Sequence, residues 1–176
     1  MNDPAPEFSR PVRADQLARY AQGVTIAADA EERAALARRF KLTSLDLLEA
    51  DYALSEQDGS IEARGRVRAK LAQPCVATGV PVPESIDTDF LLRFVPEGAG
   101  AEDAEELEID SEDCDTIGYD GQMIDMGEAV AETMALAMTP YPRSPDADAY
   151  LRDAGVLSEE QASPFAVLQS LKDTKS

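Results

Sequence analysis

The stretch Ser60-Ile61-Glu62-Ala63-Arg64-Gly65-Arg66-Val67-Arg68-Ala69-Lys70-Leu71-Ala72 decides how this chain folds. Ile61, Ala63, Gly65, Val67, Ala69 and Leu71 fall on one side of an extended backbone, and Glu62, Arg64, Arg66, Arg68 and Lys70 on the other. Side chains alternate across a strand with period two, so this pattern means one buried face and one solvated face. A helix would scatter the same residues around its cylinder. Ser44–Ser55 reads as a second strand, and Asp58-Gly59 between the two is a strong hairpin signal.

Working outward, Pro74–Pro83 is a turn-rich connector, and Ser85–Val95 alternates as a third strand. Shorter strands are expected at 107–110 and 116–119, and Phe8–Val12 can begin an edge strand because proline is tolerated there. Asp29, three residues before Glu32, opens a helix over 30–40 with a capping-box arrangement. Asp125 caps a second helix over 126–138, rich in Ala and Met and so apolar that much of its surface must be buried. It stops at Thr139-Pro140, since the residue before proline leaves helical geometry. A short helix is expected at Asp146–Ala154, and after Ser158 an amphipathic segment places Phe165, Leu168 and Leu171 on one face.

These elements predict an α+β fold: an antiparallel β-sheet curled into a partial barrel, covered by helices and followed by a helical C-terminal tail. The expected organisation is a tail at 1–9, one domain over 10–142 containing a mobile acidic loop at 97–106, and a helical extension at 143–176.

Composition limits the function classes. The 176 residues are 44% hydrophobic, near the globular average. No apolar run approaches the ~18–20 residues needed to cross a bilayer. The polar start, Met1-Asn2-Asp3-Pro4, lacks the features of a secretory signal, so a cytoplasmic location and no membrane partner are expected. Cys75 and Cys114 are expected as free thiols. With no histidine, Ser–His and Cys–His catalysis are impossible. A calcium loop counted from Asp113 matches at Asp115, Gly118 and Tyr119. It fails where Ile117 and Ile124 stand in place of oxygen ligands. Neither a zinc set nor a phosphate-binding glycine loop is present, so no metal, cofactor, small-molecule substrate or enzymatic activity is expected.

Charge is the remaining signal. Fifteen acids and twelve bases precede Pro96, whereas twenty acids and four bases follow it, within a formal net charge of −19. Such a balance opposes broad nucleic-acid binding by the whole surface. Arg64, Arg66, Arg68 and Lys70 nevertheless project in a row spaced about 6.5–7 Å apart, near the phosphate spacing of a nucleic-acid strand, and are the candidate RNA contacts. Against that stands a solvated face neutralised by Asp46, Glu49, Asp51 or the loop at 102–115. The acids Glu105, Glu106, Glu108, Asp110, Glu112, Asp113 and Asp115 either keep the chain dissolved or dock a basic partner.

Three stretches, taken in order, resemble the YceD family of bacterial proteins, named for large ribosomal RNA subunit accumulation. They are Pro74-Cys75-Val76-Ala77-Thr78-Gly79-Val80-Pro81-Val82-Pro83, then Ile124-Asp125-Met126-Gly127-Glu128 on to Pro140-Tyr141-Pro142, then Ser163-Pro164-Phe165-Ala166-Val167-Leu168. The motif positions are thus Cys75, Gly79, Asp125, Glu128, Pro140 and Pro142. Many members carry a second cysteine where Thr78 stands and a histidine where Arg143 stands, so a metal or redox role for that pair does not carry over. The resemblance implies a non-enzymatic ribosome-biogenesis factor supporting 23S rRNA accumulation, binding ribosomal RNA or a basic ribosomal protein. The alternative is an acidic interaction module that recruits a basic partner without touching RNA.

Overall fold

The computed structural model describes residues 6–97 and 115–156. In chain order the elements are β1 (Pro11–Arg13), a 3₁₀ helix (Ala14–Arg19), β2 (Val24–Ala27), α1 (Ala30–Arg39), β3 (Ser44–Gln57), β4 (Ser60–Pro74), β5 (Pro81–Pro96), β6 (Asp115–Tyr119), β7 (Met123–Asp125), α2 (Met126–Ala137) and α3 (Ala147–Asp153). The chain separates into two compact units, Met1–Gln73 with Pro83–Thr139 and Pro74–Val82 with Pro140–Ser176.

The expected hairpin is the centre of the first unit. β3 and β4 pair antiparallel from Gln57↔Ser60 outward, with one irregularity between Leu45 and Leu47. Asp58 and Gly59 both take positive φ, 51° and 75°, as the tight primed turn requires. A five-stranded sheet of order β2-β3-β4-β5-β6 grows around this pair, and β1 and β7 form a separate two-stranded ribbon. The described sheet has a linear strand order with β2 and β6 at its edges and is neither closed nor strongly curled. Of the expected fold, the α+β class and the five-stranded sheet are seen, and the partial barrel is not. Nor is the sheet wholly antiparallel: β6 runs parallel to β5, with Leu92↔Asp115 and Pro96↔Tyr119 in register. A parallel neighbour demands a long connection, and 97–114 supplies one. The strand expected at 107–110 and the amphipathic segment after Ser158 lie outside the described residues.

The inner face of the hairpin forms the core. Leu48, Ala50, Leu54, Ile61, Ala63, Val67 and Ala69 are buried there together with Phe90, Leu92 and Phe94 of β5. Gly65 is required for this packing, since a Cβ on it would sit 2.3 Å from the Asp51 carbonyl oxygen and 2.7 Å from the Phe90 ring. Helix α1 starts at the expected box: the Asp29 carboxylate accepts from the Glu31 and Glu32 amides while Glu32 accepts from the Asp29 amide. Helix α2 buries Met126, Ala129, Val130, Ala131 and Met134.

Phe8, placed by sequence in a tail, is fully buried in the same core. Ser9 Oγ and the Arg10 amide both donate to the Asp125 carboxylate, and Arg10 forks onto Glu32 at 2.7 and 2.9 Å. Among the described residues no helix is long and apolar enough to cross a membrane.

Candidate functional site

The outer face of the β3–β4–β5 sheet presents the predicted arginine row. Arg64, Arg66 and Lys70 are exposed and Arg68 is half-buried, as period-two alternation requires. Each neighbouring strand, however, brings carboxylates to the row. Register sets Glu49 opposite Arg68 and Asp51 opposite Arg66. Arg68 donates to Glu49 at 2.7 Å and to Asp51 at 2.6 Å. From the other side, Asp87 and Asp89 of β5 take Arg66 at 2.6 and 3.0 Å.

The electrostatics follow from these bonds. The Arg66 guanidinium holds the Asp87 carboxyl below the usual range. Thr25, then Arg68, does the same to Asp51. Arg66 and Arg68 are in turn raised, chiefly by Asp87 and Glu49 respectively. Arg64 has only a looser contact, 3.4 Å to Glu62 on its own strand, and its side chain stays 71% exposed. Lys70 makes no ion pair among the described residues. The face therefore alternates in sign from strand to strand. A phosphate would have to displace carboxylates from Arg66 and Arg68, which weakens the predicted row as a nucleic-acid track, while its two outer members stay accessible.

Of the predicted acidic segment, Glu105, Glu106, Glu108, Asp110, Glu112 and Asp113 lie outside the described residues. Asp115 opens β6 and is exposed.

Among the motif positions, Asp125 and Glu128 tie distant segments of the first unit together. Asp125 Oδ1 accepts from the amides of Arg10, Gly127 and Glu128 at 2.8, 3.0 and 3.2 Å, so one carboxylate caps α2 and fastens residues 9–10 to it. Glu128 binds Arg39 through both oxygens, at 2.9 and 2.6 Å, and Arg39 also reaches Glu7 at 3.0 Å. Gly127 is needed because a Cβ there would lie 2.4 Å from the Phe8 carbonyl oxygen. Nothing in the sequence near Phe8-Ser9-Arg10 announces this fastening, since its partners are more than a hundred residues away.

In the second unit, Cys75 is a buried free thiol. Its amide donates to the Val80 carbonyl, and its carbonyl accepts from Gly79, whose φ of 74° closes the turn. The Val76 amide donates to the Pro142 carbonyl at 2.9 Å, and the Ser144 amide donates to the Cys75 sulfur at 3.2 Å. Hydrogen bonds from Ser144 and Thr78 bring the thiol down to about 6, against burial, which acts the other way. Pro142 is buried and Pro140 exposed. Among the described residues, no three His, Cys, Asp or Glu side chains are grouped to hold a metal ion.

A family model described as "Large ribosomal RNA subunit accumulation protein YceD" matches residues 63–172. The chain belongs to the YceD family. The matched span runs from the start of the arginine row through the cysteine turn, the Asp125 cap and on past α3, so the motif positions are inside it. No curated protein and no solved structure matches the chain.

Proposed function

We propose that this chain supports the accumulation of large-subunit ribosomal RNA as a non-enzymatic accessory factor, and that it works through a cationic protein partner. Family membership supports the process. One observation carries the choice of partner: Glu49, Asp51, Asp87 and Asp89 hold Arg66 and Arg68, so the most cationic strand presents no net positive face. A chain of formal charge −19 attracts basic proteins and repels polyanions, and that attraction speeds encounter more than it adds affinity. Ribosomal proteins of high basicity fit such a surface.

Capture of partners on the full-length chain, with and without nuclease, tests the reading. A basic protein retained after nuclease supports it; partners that all vanish with the RNA overturn it.

Direct contact with ribosomal RNA through Arg64, Arg66, Arg68 and Lys70 is the second reading. It is favoured by the exposure of Arg64 and Lys70 at the two ends of the row. Reversing both charges, Arg64→Glu with Lys70→Glu, is expected to lower rRNA affinity and flatten its salt dependence if that reading holds. Unchanged affinity and slope would remove it.

A further inference from the structure

At the β6 end of the sheet a crevice of about 220 Å³ opens between β6, β7 and the first turns of α2. Phe94, Ile117 and Ile124 line it, Met123 stands half-exposed at its mouth, and Glu128 and Glu132 rim it. Its volume suits one aliphatic or aromatic side chain with some surrounding solvent. The rim is acidic for a reason visible in the sequence: no Lys or Arg occurs between Arg93 and Arg143. One cation reaches the rim from α1. Arg39 engages Glu128 at 2.6 Å but stands 4.0 Å from Glu132, whose side chain stays half exposed. Asp115 adds a further exposed carboxylate along β6, which ends the described sheet and pairs there with β5.

We propose that this crevice takes a lysine- or arginine-rich extended segment of a protein partner, seating one of its apolar side chains between β6 and α2. The proposal rests on the cationic-partner reading above and names its surface. Charge complementarity selects the occupant. Residues 98–114 carry eight acids and no base, so they are a poor match for an acid-rimmed site. A second copy of the chain, at −19, meets the same repulsion. A cationic segment meets Glu132 and Asp115 favourably, and its apolar side chain gains by leaving water. An extended segment can also lie along a terminal strand and use main-chain hydrogen bonds, with alternate side chains pointing into the crevice.

The test uses the full chain and three synthetic peptides of equal length: alternating Lys–Val, alternating Lys–Gly and alternating Glu–Val. Affinity is read by calorimetry and location by amide chemical-shift changes. The Lys–Val peptide is expected to bind, to perturb Ile117, Gly118, Met123 and Glu132, and to exceed the Lys–Gly peptide by about tenfold, the value of one buried aliphatic side chain. The Glu–Val peptide should not bind. Glu132→Lys is expected to weaken Lys–Val binding about three- to fivefold, while Glu56→Lys at the far end of β3 leaves it unchanged. Equal binding of Lys–Val and Lys–Gly, shifts confined to Asp87 and Asp89, or indifference to Glu132→Lys would each overturn the proposal. A nuclease-sensitive capture result would sink the partner reading while leaving peptide binding intact, so the two failures are distinguishable.

Discussion

The outer face of β3–β5 and the end formed by β6, β7 and α2 handle charge in opposite ways. On the outer face, Arg66 and Arg68 of β4 stand between carboxylates of β3 and β5 that balance them. Arg64 and Lys70, at the ends of the row, have no cross-strand ion pair among the described residues. At the other end the chain supplies no Lys or Arg between Arg93 and Arg143, and its carboxylates there must find partners distant in sequence. Asp125 and Glu128 find the N-terminal segment and Arg39, whereas Glu132 stays largely unmet. A row of like charges in sequence is therefore no measure of surface potential; what matters is which strands flank it.

The largest effect expected from breaking this contrast is at the acidic end. Asp125→Ala removes the acceptor for three amides and the Ser9 hydroxyl, and should cost about 2–3 kcal/mol in chemical denaturation. Glu132→Gln, a few residues along the same helix, should change stability by less than about 0.5 kcal/mol. Similar losses from both would mean that the carboxylates at this end act alike.

A middle-sized effect concerns acid unfolding. Asp51 and Asp87 have lowered carboxyl pKa values in the folded state, so their contribution is present above the ordinary carboxylate range and is lost as pH falls through the folded values. Arg66→Ala with Arg68→Ala should lower stability modestly near neutral pH, leave it little altered at the acid end, and so flatten the decline as pH falls through the carboxylate range. An unchanged acid limb would show that the ladder is not coupled to folding.

The smallest effect sharpens the comparison by uncapping the row. Asp87→Asn with Asp89→Asn frees Arg66 and should raise affinity for a single-stranded RNA probe several-fold at low salt, steepening the salt slope. No gain would mean that the row is unsuited to phosphate even when released.

Much of the fold was legible beforehand, and in particular places. The alternation of Ile61 through Leu71, the Asp58-Gly59 turn and the Asp29 and Asp125 caps are local signals, each complete within a few residues, and each appears where expected. β2 and β7 were not legible, because three- and four-residue strands exist only through the partners they meet, β3 and β1. The burial of Phe8 was hidden for the same reason. Cys75, Asp125 and Glu128 were visible as motif positions, but their work of binding one segment to another was not.

By itself the sequence determined which strand has a wet and a dry face, where the two capped helices begin, and that charge is unevenly divided along the chain. Those properties depend on neighbours in sequence, through backbone periodicity and the hydrogen bonds of a single turn. Tertiary structure alone decided that the sheet stays open with a parallel last strand and that the arginine row lies between carboxylates. Both depend on which strands lie side by side, and the carboxylates that pair with Arg66 and Arg68 come from the two flanking strands, at 2.6–3.0 Å.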